Sequence, residues 1–311
     1  MTKALSAILK AKQQGSEYMP EGKIIKALSG FYYVSSGDEI IQCRGRGVFR
    51  KKKVSPLVGD EVVFQAENPT DGYIMEVKGR RNELVRPPIS NVDQAILVFS
   101  AVEPDFSPSL LDRFLVLIES KGIDPIICIS KMDLVDAQQE KRMQEYAEQY
   151  QEIGYTVLLT SSHTEDGIPE LLPYLKNKTS VFAGQSGVGK SSLLNAIKPA
   201  LNLKTNNISS HLGRGKHTTR HVELIDIGGG LLADTPGFSS LEFTDIEEED
   251  LNGCFPEIER QSAGCKFRGC LHLKEPQCAV KAAVEDHIIQ SYRYAHYLQF
   301  LEEIRDRKPR Y

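Results

Sequence analysis

The chain has 311 residues, of which 41 % are hydrophobic, and its 38 Lys/Arg against 42 Asp/Glu leave a net charge of −4. That length and apolar content suit two or three domains with real cores. No run approaches the roughly 20 apolar residues of a membrane span, and the lysine-broken start does not read as a signal peptide, so a cytoplasmic protein with no membrane partner is expected.

Residues 1–19 are set apart as an extension or leader, because Met19-Pro20-Glu21-Gly22-Lys23 can itself serve as a start. From residue 20 to 85 the chain reads as about five short strands, with apolar centres at Ile24-Ile25, 31–34, 39–41, 61–64 and 73–75. Gly30, Gly37, Gly59-Asp60 and Asp71-Gly72 punctuate them, a pattern that predicts a small OB-fold barrel. Residues 41–86 hold ten Lys/Arg against six Asp/Glu, so this piece is basic on an acidic chain. That asymmetry fits a polyanion partner such as RNA, or ordinary surface charge. The basic run Arg44–Lys53 is expected in a loop or strand edge, and Phe31, Tyr32, Tyr33 and Phe49 either stack on bases or fill the core. Cys43 reads as barrel surface.

Arg86-Pro87-Pro88 reads as a stiff connector, since proline restricts itself and its predecessor. Beyond it, apolar strands alternate with helices. Strands are expected at 95–99, 125–129, 156–159, 180–183, 222–227 and 231–233. Helices are expected at 109–121, 137–152, 167–175 and from Lys190. This alternation predicts a parallel α/β sheet. From about Phe243 the chain turns acidic, then cysteine-bearing, then helical from Ala279 to Arg305.

Four elements in the α/β segment carry chemistry. Gly184-Gln185-Ser186-Gly187-Val188-Gly189-Lys190-Ser191 matches the phosphate-binding loop in full, between a buried strand and a helix. Its backbone N–H groups and helix N-terminus favour phosphate. Lys190 is expected on the β- and γ-phosphates and Ser191 on Mg²⁺, with Ser192 beside them. Asp234-Thr235-Pro236-Gly237 fits D-x-x-G, in which Asp234 reaches Mg²⁺ through water and the Gly237 N–H meets the γ-phosphate. Ser130-Lys131-Met132-Asp133 resembles the guanine-reading N-K-x-D element, with Asp133 accepting from the guanine N1–H and 2-amino group; adenine lacks that amino group. Ser130 replaces the usual Asn. Thr160-Ser161-Ser162 resembles the short element that supports the base through a backbone N–H.

Their order is unusual. The base element and its helper precede the phosphate loop and D-x-x-G, so the GTPase is circularly permuted. Between the phosphate-loop helix and the next strand lies Gly213-Arg214-Gly215-Lys216-His217-Thr218-Thr219-Arg220, where a first switch belongs. Thr218 or Thr219 is expected to complete the Mg²⁺ shell, with Thr218 favoured. Phe238 stands where many GTPases carry a water-orienting glutamine. A phenyl ring cannot do that, and His217 is the in-chain alternative, unless it binds RNA phosphate or lies in solvent.

Cys265-x4-Cys270-x-His272-x5-Cys278 supplies three thiolates and an imidazole, a set that suits one structural Zn²⁺. Lys266, Arg268, His287, Arg293 and residues 305–310 are candidate basic patches near it.

Permuted order, basic barrel in front and Cys/His cluster behind together resemble the RsgA (YjeQ/YloQ) family of bacterial ribosome-assembly GTPases, over about residues 20–311. The resemblance implies a multidomain α/β protein with three parts: an OB-fold RNA-binding barrel (20–85), a circularly permuted GTPase domain (86–242) and a helical zinc-binding domain (243–311). It implies GTP/GDP, Mg²⁺ and Zn²⁺, and a monomer acting with the small ribosomal subunit, its rRNA and other assembly factors. It also implies hydrolysis stimulated by that subunit, and a role for a histidine such as His217. An RNA-binding scaffold that keeps GTP as a structural or switching ligand is the alternative.

Overall fold

The computed structural model describes residues 19–47, 49, 54–85, 87–201, 222–234 and 241–307. Five strands open the chain: β1 (Glu21–Leu28), β2 (Phe31–Ser36), β3 (Glu39–Gly45), β4 (Glu61–Asn68) and β5 (Asp71–Val77). β1 pairs with β2, β2 with β3, β3 in parallel with β5, β5 with β4, and β4 returns to β1. The five strands thus close into a barrel, in keeping with the OB-fold reading. Strict alternation builds its interior. Ile24, Val34, Ile41, Cys43, Val62, Phe64, Ala66 and Ile74 are all buried. Cys43 therefore lies inside the barrel, not on its surface, and burial pushes its thiol up to about 12. Phe49 is buried too, which favours the core reading for that ring.

The stiff proline connector is itself tied down. Pro87 and Pro88 lie between two short paired strands, β6 (Glu83–Leu84) and β7 (Ile89–Ser90). These are fastened to the barrel through buried Asp60. Its carboxylate accepts from Arg80 Nε (2.7 Å), Ser90 Oγ (2.6 Å) and the Leu57 N–H (2.7 Å).

Then come β8 (Gln94–Ser100), α1 (Pro108–Glu119), β9 (Asp124–Ser130), α2 (Ala137–Ile153), β10 (Thr156–Leu159) and α3 (Ile168–Leu175). β8, β9 and β10 pair in parallel, and every residue of β8 is buried, as its unbroken apolar run predicts. Ser107 caps α1 ahead of Pro108, and Asp136 with Gln139 forms a capping box on α2. β11 (Thr179–Ala183), α4 (Lys190–Ile197), β12 (Glu223–Asp226) and β13 (Leu231–Asp234) follow. β13 is parallel to β11, but β12 runs antiparallel to β13, so the sheet is mixed. The cause is local. Gly228 and Gly229, at φ +86° and +95°, form a two-residue turn that only glycine adopts cheaply, and it folds the chain straight back.

At the C-terminal end lie α5 (Pro256–Ser262), α6 (Ala279–Glu285) and α7 (Ser291–Asp306). The single helix expected from 279 to 305 is two. The N–H groups of Ile288 and Ile289 both turn back to the Ala283 carbonyl, and His287 adopts φ +60°. That break buries Ile289 in a core shared with Phe255, Ile258, Val280, Tyr297, Phe300 and Ile304.

Backbone contacts divide the chain into two compact units. One holds the described residues of 1–93, 175–181 and 208–237; within it β1 also pairs with β12, Lys26 opposite Glu223. The other holds 94–174, 182–207 and 238–311. In this second unit α1 carries the C-terminal helices. Asp112 and Arg293 pair at 2.5 Å, both fully buried, and Arg113 meets Glu303. Among the described residues no helix is long and apolar enough to cross a membrane.

Candidate nucleotide site and metal centre

The phosphate loop is built where a buried strand meets a helix. β11 is buried throughout, and α4 begins at Lys190 with Gly189 as its left-handed N-cap. Gly184 has φ +141°, and a Cβ there would sit 2.1 Å from the Val98 carbonyl oxygen, so only glycine fits. Lys190 folds over its own loop and donates to the carbonyls of Gly184 (2.8 Å) and Gln185. Burial pushes its ammonium down to about 8. Ser191 is buried behind it, Val188 is buried, and Gln185, Ser186 and Gly187 are exposed.

The base element abuts this loop. Ser130 Oγ donates to the Val188 carbonyl at 2.6 Å and lies 3.3 Å from that of Phe99. The short serine thus ties base element to phosphate loop. Lys131 takes a left-handed backbone (φ +61°), and Met132–Leu134 form a single 3₁₀ turn that presents Asp133 to solvent. Asp133 is aimed by Ser161, whose hydroxyl donates to Oδ1 at 2.7 Å and accepts from the N–H groups of His163 and Thr164. Met132 N–H donates to the Thr160 carbonyl. Ser162 follows, half-buried. Residues 130–133, 160–162 and 184–192 are therefore one constellation despite their separation in sequence.

Asp234 ends β13. Gly237, His217, Thr218 and Phe238 lie outside the described residues.

Cys265, Cys270, His272 and Cys278 bring their ligand atoms within 4.8 Å of one another. Cys265 Sγ lies 3.8 Å from Cys278 Sγ and 3.6 Å from His272 Nδ1, which lies 3.3 Å from Cys278 Sγ. A tetrahedron with Zn–S arms of about 2.3 Å has edges of about 3.8 Å, so the donor set fits zinc. Burial lowers the His272 pKa and favours the neutral ligand form. Burial opposes the Cys265 thiolate, but backbone bonds from Val280 and Ala279 outweigh it and lower that pKa.

The supporting shell was not visible in sequence. Asn252 Oδ1 holds His272 Nε2 at 3.0 Å, twenty residues upstream, which turns Nδ1 towards the thiols. Glu275 accepts from the Leu271 and Leu273 N–H groups, and Tyr294 donates to the His272 carbonyl. Cys254 is buried apart from the cluster, bonding the Asp250 carbonyl. The candidate basic patch is smaller than the sequence suggests. Arg293 is fully buried, while Arg305 and Arg307 pair with Glu248 and Glu247. Lys266, Arg268 and His287 are exposed.

The sequence profile of the RsgA GTPase matches residues 77–244, and that of the RsgA N-terminal domain matches 21–74. Small ribosomal subunit biogenesis GTPase RsgA of Bacillus cereus is 71 % identical over 293 residues, 94 % of this chain and all of that protein. Its Bacillus subtilis counterpart is 68 % identical over 298 residues. A crystal structure of YloQ, described as a circularly permuted GTPase, superposes with a TM-score of 0.83 at 63 % identity, covering 95 % of this chain and 98 % of that one. YjeQ from Thermotoga maritima gives 0.84 at 38 % identity, over 94 % and 100 %. Likeness of this closeness runs through the barrel and the GTPase segment alike, and the chain belongs to the RsgA GTPase family.

Proposed function

We propose that this chain binds GTP, hydrolyses it to GDP and phosphate, and acts in this way in the biogenesis of the small ribosomal subunit, the role its relatives' names give for those proteins. The observation that carries the nucleotide half is the Ser130–Val188 hydrogen bond, which joins an oriented Asp133 to the phosphate loop. Asp133 reads the guanine edge, while Lys131 lies along the base and Ser161 and Ser162 support it. Lys190 neutralises the β- and γ-phosphates. Ser191, Thr218 and, through water, Asp234 would hold Mg²⁺, which supplies charge neutralisation at the phosphates when bound. The Gly237 N–H meets the γ-phosphate, and His217 orients the attacking water in place of a glutamine. The domains run 20–85, 86–242 and 243–311, with Cys265, Cys270, His272 and Cys278 on Zn²⁺. Because D-x-x-G leads directly into residues 243–311, nucleotide state and the position of that domain are coupled.

The proposed partner is rRNA of the small subunit, met by the protein as a cytoplasmic monomer alongside other assembly factors. Support comes from the barrel's outer face. Phe31 pairs across strands with Arg44, and Arg44 with Tyr73. The Arg44 guanidinium lies 5.1 Å from the Phe31 ring centroid, and Tyr73 is 44 % exposed. Alternating rings and guanidinium suit stacked, unpaired bases. Phe267, exposed between Lys266 and Arg268 on the Cys/His loop, is a second such feature.

The test is GTP turnover with and without purified small subunits at matched salt. Stimulation of about tenfold or more by small but not large subunits, lost in Lys190→Ala, is the expected result. Turnover that ignores the subunit would instead support the scaffold alternative.

A further inference from the structure

We propose that the loop leaving β8, residues 101–106, is a further wall of the nucleotide site that positions Lys131 for the guanine base; this rests on the GTP reading above. The loop touches both halves of the site. Lys131 Nζ donates to the main-chain carbonyl of Glu103. On the other side, the Pro104 ring lies against the phosphate loop, 3.9 Å from where a Cβ on Gly187 would stand.

Three contacts hold the loop itself. Ser100 Oγ, buried, donates to the Pro104 carbonyl at 2.6 Å. The Ala101 N–H donates to the Ser130 carbonyl at 2.9 Å, which fixes the loop's root to the base element. The Phe106 ring packs against Phe99 and Tyr146, at 6.4 and 5.1 Å between centroids. Between these anchors Glu103 adopts φ +55°, an uncommon backbone for a glutamate, and so turns its carbonyl to the lysine.

The chemistry that follows is preorganisation. Lysine is among the most rotamer-rich side chains, and ordering it on binding weakens affinity. A lysine already held across the gap between base element and phosphate loop presents its stem to an arriving base with that ordering complete. The loop acts at the base end of the ligand, so it serves GDP and GTP equally. Glu103 enters through its main chain, and its side chain is not required. Pro104, Ser100 and Phe106 are positioning residues and none of them touches the reacting phosphate.

The test uses the full chain, with fluorescent GDP and GTP titrated separately against Pro104→Gly, Ser100→Ala, Lys131→Met and the Pro104→Gly/Lys131→Met double variant. Circular dichroism confirms that each is folded, and Ser100→Ala carries the test if Pro104→Gly is not. The expected result is a loss of about tenfold for each loop variant, equal for GDP and GTP. The double variant should be no worse than Lys131→Met alone, because both substitutions remove the same interaction. Additive losses, a loss confined to GTP, or unchanged affinity in both loop variants would overturn the inference. A wild-type chain that binds neither nucleotide would instead overturn the nucleotide reading on which it rests.

Discussion

Replacing Arg293 by methionine tests the tie between the C-terminal helices and α1. The guanidinium is fully buried. It donates to Glu257 through Nε (2.7 Å) and Nη2 (3.1 Å) and to Asp112 through Nη1 (2.5 Å). It also stacks on Phe255 at 4.6 Å and Tyr150 at 5.6 Å. Methionine keeps most of the apolar stem but leaves two buried carboxylates without their cation. Breaking a buried pair from one side costs about 3–5 kcal/mol. Asp112 keeps the Tyr150 hydroxyl at 2.6 Å and His296 Nδ1 at 2.5 Å, so the larger share of that cost falls on Glu257. Urea unfolding of the full chain at fixed zinc, followed by circular dichroism, measures it. Neutralising the carboxylates as well, in Asp112→Asn/Glu257→Gln/Arg293→Met, should restore at least half of the loss, since the penalty comes from uncompensated charge and not from lost volume. A single-variant loss below about 1 kcal/mol, or a triple variant no better than the single, would refute the reasoning.

Further outcomes follow from the two sites. The chain should carry one zinc, measured by elemental mass spectrometry. Asn252→Ala, which frees His272 Nε2, should weaken zinc binding about ten- to a hundredfold in a chelator competition; equal affinity would remove Asn252 from the support. Lys190 gives a pH signature. Its folded pKa of about 8 lies below the unfolded value of 10.5, so between them the unfolded chain binds more protons. Stability of the nucleotide-free protein should therefore rise with pH across that window. Lys190→Met should flatten the rise, raise the melting temperature at neutral pH and abolish protection by GDP. A melting curve for the variant that still tracks pH would contradict it.

What could be read from sequence was whatever depends on near neighbours along the chain. Gly184 to Ser191 and Cys265 to Cys278 carry their signatures in their own spacing, so both candidate sites are legible in the sequence. So are the five barrel strands, because alternation is a local property. The errors lie where distant residues decide. Nothing near Arg293 in sequence indicates that Asp112 and Glu257 will enclose it, and a helix-borne arginine reads as surface. The helix break at 286–290 follows from the burial of Ile289, and local propensity ran straight through it. The direction of β12 is written in the Gly228-Gly229 pair, a hairpin-turn signal.

The closed barrel is a poor candidate for a detachable module. β1 serves two neighbours at once, closing the barrel through β2 and β4 and lying beside β12 with Lys26 against Glu223 at 2.8 Å. Lys23 on the same strand reaches Thr179 of β11. Cutting the chain after residue 85 would strip β12 of its outer partner and leave a raw sheet edge, the kind of surface on which chains aggregate. The strand that ends in Asp234 would then stand one strand from that raw edge, where now β12 is covered in turn by β1. Swapping barrels between relatives would have to carry β1 and its lysines across as a unit with the hairpin they cover.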